Sequence, residues 1–427
     1  MKILFIACYS PLINNSAAIE TLQYLNKLSG IPGNEIHLLT VNFPENSIYY
    51  DEYLFSMMDS KIKYHLIDGG VIFKKFIPRK QSIANVNKEP IKNRKFLRKI
   101  KNAFVIPDMY YGWAKKAAKY GIQLMQQEKF DVIFSMHEPP SSHLCAYYIK
   151  RKFKNVPWIT YWSDPWLKDS TRQNSFVLKR LVEKNMEKNV VQIADKFIFV
   201  TEENRKDYLS QYKAVSSKGE FTYILNRGFD KELYNKLSLE STPKLINKNK
   251  INMVYTGEIF TKLRNINPFI QALEEIKDEN KDDYELLNIL FFGNIDDIEV
   301  KRKLSNLEIA KVSSRIPFDE ALKYMLNSEI LLLFGNKNSK QIPAKIYDYF
   351  GTDARIFVVY GDNNDPIKDI VENNKKCINT NNSVKEIKDN IYRLIGLYKS
   401  NDIKSEPDYR YEWNSIVKKL NTILEEK

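Results

Sequence analysis

The sequence predicts an α/β protein made of two doubly wound domains, each built on a parallel sheet. Short apolar runs rich in β-branched residues alternate with helix-length amphipathic segments along the 427 residues, a pattern typical of βα units. A chain of this length exceeds the size at which one hydrophobic core stops growing. A polar, aperiodic stretch, "LSLESTPKLINKNKI", interrupts the alternation at 237–251. We therefore interpret 237–251 as a linker between two domains.

The expected strands are the short apolar runs between the helical segments. In the first domain, 1–236, they lie near 2–7, 35–41, 63–68, 131–136, 157–162, 196–200 and 222–225. In the second domain, 252–400, they lie near 252–256, 286–292, 309–313, 329–334 and 355–360. Residues 401–427 form a helical tail that we expect to pack back toward the first domain. Ligands of doubly wound sheets bind beyond the carboxyl ends of the strands, so two facing sheets would enclose a central cleft.

The composition limits the kind of protein and its compartment. The formal net charge is +13 and 43% of the residues are hydrophobic, which is ample for packed cores. The three cysteines, Cys8, Cys145 and Cys377, are widely separated, so neither a disulfide framework nor a structural zinc site is expected. "MKILFIACYS" is too short an apolar run for a signal peptide, and no apolar stretch reaches roughly 18 residues. We expect a cytoplasmic protein without a membrane span.

A basic segment follows the third expected strand. Between Glu89 and Asp108 the sequence has no acid, while six Lys and Arg residues surround apolar residues at helical spacing within 92–104. Such an amphipathic helix can lie on an anionic membrane surface, and it can equally pack on its own domain. Both interpretations stay open here, and the first would make the protein peripheral on the inner face of the cell membrane. Nucleic acid is not an expected partner, because no aromatic stacking platforms are interleaved with the basic residues.

Several common cofactor and catalytic motifs do not occur in the sequence. GxGxxG does not follow the first strand, and GxxxxGK[ST], HExxH and GxSxG are absent. No Asp-x-Asp pair of the kind that holds a metal-bound diphosphate is found either. We therefore expect neither a nicotinamide cofactor nor a catalytic metal.

Polar side chains follow two expected strands of the first domain. "FDVIFSMHEPP" ends a buried strand with His137 and Glu138, and "PWITYWSDPW" ends the next with Ser163 and Asp164. A strand-end histidine is often a satisfied hydrogen-bond partner, and an aspartate before proline is often a turn or cap residue. Because both strands end at one edge of one sheet, the functional interpretation is that these four polar residues belong to one site.

The stretch "SKQIPAKIYDYFGTDARIFVV", 339–359, predicts a helix followed by a strand. Apolar residues at helical spacing define a buried stripe that leaves Lys345 and Asp348 on a neighbouring face, and Pro343 suits the first helical position. A lysine in the first turn is unfavourable by ~0.3–1 kcal/mol, unless an anion lies close by. Helix N-termini also attract phosphates. The alternative interpretation is a solvated i, i+3 ion pair.

These segments together resemble a known family. "FDVIFSMHEPP", "PWITYWSDPW", "ADKFIFVTEENRKDYL", "NRGFD", "YTGEIF", "RIPFDEALKYMLNSEILLLF" and "IPAKIYDYFGTDARIFVV" follow one another as in the GT-B glycosyltransferases. The chain is most similar to the large retaining group, family four, that builds bacterial capsules, lipopolysaccharide and related glycans. The stretch "IPDMYYGWAKKA" at 106–117 also resembles members with an Asp-Pro-Trp signature. The resemblance covers nearly the whole chain and implies the GT-B fold.

The resemblance implies that the two domains bind different substrates. The first would bind a glycan or lipid-linked acceptor, and the second a UDP- or GDP-linked sugar. Asp348 would accept hydrogen bonds from the ribose hydroxyls, and Lys345 would lie close to the nucleotide or its diphosphate. Lys262 and Arg264 would hold the diphosphate, while Gly257 would let the backbone approach it.

Three further roles follow from the same resemblance. Backbone groups around Ile316 in "SSRIPF" would pair with the base. His137 would contact the transferred sugar near the reacting carbon, and Asp164 or His137 would orient the acceptor. Because the cationic side chains would stabilise the leaving group, neither a metal nor a cofactor would be needed. The resemblance also implies retention of the anomeric configuration, by attack on the same face as the leaving group and without a protein nucleophile.

The sequence also departs from the family pattern. Many members have two glutamates eight positions apart, where this chain has Lys340 and Asp348. Ser16 and Ala17 replace the usual diglycine of the first loop, and Arg227 replaces the asparagine before glycine. Two alternatives stay open: a nucleotide-sugar epimerase, which shares the two-domain architecture, and a noncatalytic membrane-associated subunit, which the missing first glutamate favours.

Overall fold

The computed structural model of the protein describes residues 1–79, 105–168, 177–338 and 342–426. It divides into two compact units, a first unit of Met1–Asn226 with Asn414–Lys427 and a second unit of Arg227–Trp413. The basic segment 92–104 and Lys340 lie outside the described residues. No helix of the described part of the chain combines the length and the apolar character that a bilayer crossing requires.

The first unit is built on a seven-stranded parallel sheet in the order β3-β2-β1-β4-β5-β6-β7. Its strands are β1 (Lys2–Ala7), β2 (Glu35–Val41), β3 (Lys63–Ile67), β4 (Val132–His137), β5 (Trp158–Trp162), β6 (Lys196–Phe199) and β7 (Thr222–Ile224). The strand order reverses between β1 and β4, so right-handed crossovers place helices on both faces of the sheet.

The helices of the first unit connect these strands. They are α1 (Ser16–Ser29), α2 (Glu52–Ser56), α3 (Gly70–Phe76), α4 (Tyr111–Gln127), α5 (Ser141–Lys150), α6 (Val177–Ile193), α7 (Glu202–Gln211) and α8 (Lys213–Ser216). Helices α4, α5 and α6 pack side by side. Because β4 and β5 are neighbours, His137 is paired with Trp162 in the ladder, and the two expected polar segments meet at one sheet edge.

The second unit is built on a six-stranded parallel sheet in the order β10-β9-β8-β11-β12-β13. Its strands are β8 (Ile251–Thr256), β9 (Leu287–Phe292), β10 (Ala310–Ser313), β11 (Ile330–Phe334), β12 (Arg355–Val359) and β13 (Cys377–Thr380). Its helices are α9 (Lys231–Ser238), α10 (Asn267–Glu279), α11 (Lys281–Glu285), α12 (Ile298–Ser305), α13 (Phe318–Leu326), α14 (Lys345–Phe350), α15 (Lys368–Val371) and α16 (Val384–Lys399). The predicted fold class, two Rossmann-like units with parallel sheets, is confirmed.

The central strands of both sheets are buried along nearly their whole length, as in β4, "VIFSMH", and β11, "ILLLF". Strands covered by helices on both faces require such continuous apolar runs, which is why these strands could be recognised in the sequence. Strand β13 was not predicted. Its four residues, "CINT", alternate between half-buried and buried positions at the edge of the sheet, so they present no continuous apolar run.

The unit boundary differs from the expected domain boundary at 236. Residues from Arg227 onward belong to the second unit, because the Phe229 N–H donates to the Tyr411 carbonyl at 2.9 Å. The Trp413 N–H donates in turn to the Phe229 carbonyl at 3.0 Å. The last helix, α17 (Trp413–Glu425), lies largely in the first unit. The tail expected over 401–427 is thus divided between the units, with the change after Trp413.

Candidate functional site

A glycine ends the central strand β8 of the second unit. Gly257 has φ +116°, a conformation that favours glycine, and its N–H donates to the carbonyl of Phe292 at 2.7 Å. A Cβ atom at this position would lie 2.7 Å from Nζ of Lys345. Gly257 therefore allows both the turn after β8 and the close approach of a lysine from another element.

Lys345 is the first residue of helix α14, so the helix begins two positions later than the predicted Pro343 start. The reason is that Pro343 and Ala344 form the preceding turn, where the Pro343 carbonyl accepts from Ile346 N–H at 3.1 Å. Ile346, Tyr349 and Phe350 are buried, as the helical spacing predicted. Lys345 and Asp348 are half-buried on the neighbouring face.

The Lys345 ammonium group contacts the end of β8. It donates to the Thr256 carbonyl and lies 3.8 Å from the centroid of the Tyr255 ring, a cation–π arrangement. Burial, with a contribution from the nearby Arg264 charge, holds the pKa of Lys345 well below its usual value. A cation in this position is incompletely compensated by the protein, which favours binding of an anion.

Arg264 lies on the loop after β8 and is fixed by three oxygen acceptors. Its Nε donates to Asn336 Oδ1 at 2.9 Å, and Nη1 donates to the Glu258 carbonyl at 2.8 Å and to the Tyr255 hydroxyl at 3.4 Å. Within the described ranges, Nη2 makes no hydrogen bond. The guanidinium group is therefore oriented by the protein while one of its nitrogens can still bind a ligand.

Asp348 completes this group one helical turn after Lys345. Burial raises the pKa of its carboxyl group to about 7, although the charges of Arg227 and Lys345 oppose that shift. The Tyr234 hydroxyl donates to its backbone carbonyl at 3.1 Å. We call Tyr255, Gly257, Arg264, Lys345 and Asp348 the Tyr255 cluster.

The structure brings together four predicted site residues of the second unit, namely Gly257, Arg264, Lys345 and Asp348, and leaves two outside the Tyr255 cluster. The Lys262 side chain is exposed, and none of the residues in the described ranges forms a hydrogen bond or ion pair with it. Ile316 is half-buried, and its side chain packs against the core of the second unit. The roles expected for these two residues stay predictions.

Sequence reasoning missed Tyr255, Asn336 and Arg227. In the sequence Tyr255 stands out only as a strand residue, yet its ring contacts the Lys345 ammonium and its hydroxyl contacts Arg264. Asn336 follows β11, which lies beside β8 in the sheet, so parallel topology alone places it near Arg264. Arg227 stands out in the sequence only as a departure from a family pattern. The sequence signal that could have identified Tyr255 and Asn336 is the occurrence of an aromatic and a polar residue at the carboxyl ends of adjacent strands.

In the first unit, His137 is the last residue of β4 and is 1% exposed. Its ring stacks on Trp162 with the centroids 5.7 Å apart, and its carbonyl accepts a hydrogen bond from the Ser163 hydroxyl. This burial favours the structural interpretation of the imidazole. The expected contact with a transferred sugar stays a prediction.

Asp164 is half-buried on the turn that follows β5. The same turn is bonded to His137 through Ser163, so the "SMHE" and "WSDPW" segments are physically joined. Asp164 therefore lies near the end of β4 as expected, and its role toward an acceptor stays a prediction.

Asp108 of the "IPDMYYGWAKKA" segment is a further residue that sequence reasoning missed. Its Oδ1 accepts from the Ser141 hydroxyl at 2.6 Å and from the Tyr110 N–H at 2.8 Å, and its Oδ2 accepts from the Ser141 N–H at 3.1 Å. Asp108 thus fixes the start of α5 directly after "HEPP". The sequence signal that could have identified Asp108 is its position as the first acidic residue after Glu89.

A group of possible metal ligands lies at the amino ends of β1 and β2. Within the described part of the chain, this group consists of Glu35, His37 and Glu128, whose possible ligand atoms lie within 4.8 Å of one another. Lys63 Nζ lies 2.6 Å from Glu35, and Lys2 Nζ contacts both carboxylates. The lysine ammonium groups already supply the positive charge, so we interpret this group as an ion-pair network.

Solved structures with a similar fold have low sequence identity. Sucrose-phosphate synthase from Thermosynechococcus elongatus aligns with a TM-score of 0.61 at 13% identity, over 99% of this chain and 98% of that one. UDP-GlcNAc 2-epimerase from Neisseria meningitidis, bound to UDP-GlcNAc, aligns with a TM-score of 0.61 at 10% identity, over 99% of both chains. MnaA from S. aureus, in a UDP co-structure, gives 0.55 at 12%, over 98% of this chain and 94% of that one.

No protein-family model matches the chain, and no curated protein matches it in sequence. At identities of 10–13% the likeness to these structures concerns the fold. The topology and these alignments together establish that the chain has the GT-B architecture of two Rossmann-like units.

Proposed function

We propose that the chain is a glycosyltransferase that moves a sugar from a UDP- or GDP-linked donor to a glycan or lipid-linked acceptor in bacterial surface polysaccharide synthesis, with retention of anomeric configuration. One observation carries the proposal. Two cationic side chains, Lys345 and Arg264, contact the same aromatic residue, Tyr255, at the carboxyl end of β8. The sequence resemblance supplies the reaction class.

The proposed chemistry depends on the charge of the leaving group. A departing nucleoside diphosphate gains negative charge, and donors that are already oriented stabilise such charge without reorganisation. Arg264 is oriented by three acceptors, and Lys345 carries an incompletely compensated charge. A diphosphate beside them would accept hydrogen bonds from both and would restore the pKa of Lys345 toward its ordinary value.

Asp348 would bind the ribose of the donor. A carboxylate accepts two hydroxyl donors well, whereas its protonated form has less acceptor capacity. The carboxyl group of Asp348 has a pKa of about 7, so the protein exists with and without this charge near neutral pH. Hydroxyl donors from the ligand would favour the ionised form.

The acceptor part of the proposal concerns the first unit. Asp164 would orient the attacking hydroxyl group, and the turn that carries it is bonded to the end of β4. A cytoplasmic location and a contact of 92–104 with an anionic membrane surface belong to the proposal as well. Both derive from the sequence.

A nucleotide-sugar epimerase is the second candidate. The likeness to UDP-GlcNAc 2-epimerase, seen with UDP-GlcNAc bound, favours it. Both candidates would use the cations of the Tyr255 cluster for a diphosphate. They differ in the product, because a transferase releases the nucleoside diphosphate and an epimerase changes the configuration of the sugar.

Product analysis tests the two candidates. Calorimetry with UDP, GDP, ADP and CDP first identifies the nucleotide that binds. The corresponding nucleotide sugars are then incubated with the protein and followed by NMR. Release of the nucleoside diphosphate supports the transferase, and a new sugar epimer supports the epimerase. If no nucleoside diphosphate binds, both enzyme proposals are wrong and the noncatalytic alternative gains support.

A further inference from the structure

A buried carboxyl group that is not one of the predicted site residues lies in the first unit. Glu187 on α6 is 1% exposed. Its Oε1 accepts a hydrogen bond from the Tyr208 hydroxyl, and its Oε2 accepts one from the Tyr212 hydroxyl at 2.7 Å. The backbone N–H of Leu167, in the turn after β5, lies on the side of this carboxyl group and favours its ionised form.

A hydrogen bond connects this network to the same turn. The Trp166 N–H donates to the Tyr208 hydroxyl oxygen at 3.2 Å. The turn 163–168 is thus joined to Glu187 through Tyr208. At its other end the turn is bonded to His137 through Ser163, so it is fixed on both sides of Asp164.

Burial of the Glu187 carboxyl group costs free energy, which its hydrogen bonds must offset. Removing a carboxyl group from water is unfavourable unless its hydrogen bonds are satisfied. The other acid facing it is Glu183, one turn earlier on α6, and Lys179 Nζ lies 3.7 Å from Glu183 Oε1. The Tyr208 ring packs against Trp162 at 4.8 Å. An apolar side chain at this position would accept neither of the two tyrosine hydrogen bonds.

We propose that Glu187 is a positioning residue, which fixes the turn 163–168 through Tyr208 and thereby holds the Asp164 carboxylate at the carboxyl end of β5. The consequence for catalysis rests on the proposed function, in which Asp164 orients the acceptor. The anchoring of the turn does not depend on it.

Two matched variants test the anchoring. Tyr208→Phe removes the hydroxyl group that joins Glu187 to Trp166 and keeps the ring. Tyr212→Phe removes one hydrogen bond to the same carboxyl group and has no bond to the turn. Hydrogen–deuterium exchange measured by mass spectrometry over 163–168 should become at least tenfold faster in Tyr208→Phe and stay unchanged in Tyr212→Phe. Strand β5, 158–162, serves as the internal reference for an intact fold.

Kinetics then connects the turn to the proposed reaction. Tyr208→Phe should raise the KM for the acceptor at least tenfold, while nucleoside diphosphate binding and donor hydrolysis, which depend on the second unit, stay as in the unmodified protein. Unchanged exchange over 163–168 would overturn the proposal, and faster exchange with an unchanged acceptor KM would overturn its consequence for catalysis. If the unmodified protein transfers no sugar, the proposed function fails, and the exchange comparison alone decides whether Glu187 positions the turn.

Discussion

The ammonium group of Lys345 lies over the ring of Tyr255, 3.8 Å from its centroid, and donates to the carbonyl of Thr256. Helix α14 thus delivers a cation to the carboxyl end of strand β8. This contact explains why the helix can carry a lysine in its first turn, because the ring and the carbonyl replace part of the lost hydration.

Lys345→Met should weaken nucleoside diphosphate binding without destabilising the fold. A charge-assisted hydrogen bond to the ligand is worth ~1.5–3 kcal/mol, so Kd should rise roughly 10- to 100-fold. The pKa of Lys345 is held well below 10.5, so the unfolded chain binds this proton more tightly than the native state. Unfolding free energy therefore rises with pH toward 10.5, and removal of the charge at pH 7 should leave stability equal or higher.

Calorimetry and denaturant unfolding check this prediction. Lys301→Met, an exposed lysine on α12, is the control for a loss of net charge. Unchanged Kd in Lys345→Met would exclude Lys345 from the ligand site.

Arg264→Ala should lower turnover by an order of magnitude or more, because an oriented guanidinium stabilises the leaving diphosphate. Lys262→Ala should act in the same direction with a smaller effect, since its exposed ammonium group is not held in place by described residues. Steady-state kinetics of donor hydrolysis or transfer measures both. Turnover equal to that of the unmodified protein in Arg264→Ala would remove this residue from the diphosphate site.

Nucleoside diphosphate binding should be linked to proton release near pH 7. Asp348 has a pKa of about 7 in the free protein, and ribose hydroxyl groups that donate to the carboxylate would favour ionisation. Affinity should therefore fall as pH is lowered through 7. Calorimetry at pH 7 in buffers of different ionisation enthalpy measures the protons released.

The phosphate groups of the ligand titrate as well, with a pKa of about 6, so the comparison with Asp348→Asn isolates the carboxyl group. The variant should release fewer protons and show a flatter pH dependence. Identical proton release in both proteins would mean that Asp348 does not contact the ligand.

Glu187→Gln should flatten the dependence of stability on pH. Burial raises the pKa of Glu187 from 4.5 to about 7, so between these values the native state holds a proton that the unfolded chain has lost. Unfolding free energy therefore falls as pH rises from 4.5 to 7, on the order of 3 kcal/mol in total. Denaturant unfolding at pH 5 and pH 7.5 should show a smaller difference for Glu187→Gln. Glu220→Gln, an exposed acid of the same unit, should match the unmodified protein.

The sequence could predict the strands because most are continuous apolar runs buried on both faces. It could predict the shared face of Lys345 and Asp348 because helical spacing fixes it. It could not predict that Tyr255 would receive the lysine, since that contact depends on which strand lies beside α14. For Glu187, a mid-helix glutamate is ordinarily a solvated residue, and its burial becomes visible only when α6 and α7 are packed.

The strand-end residues show the same limit. Because β4 and β5 are adjacent parallel strands, His137 and Asp164 were expected at the same edge of the sheet, and the structure places them there. Whether a strand-end side chain points into a site or into the core depends on the packing of its neighbours. His137 lies among tryptophans, which local sequence could not reveal.

Backbone hydrogen bonds join Phe229 to Tyr411 and Trp413, close to the two ends of the second unit in the chain. The second unit is an insertion whose entry and exit are joined by backbone hydrogen bonds, while the first unit is discontinuous and needs its last helix from beyond that insertion. Ends that lie together make a segment suitable for excision or circular permutation. The segment 227–413 is therefore the one to exchange when domains of related proteins are swapped. Truncation of the chain after residue 400 would remove residues from both units.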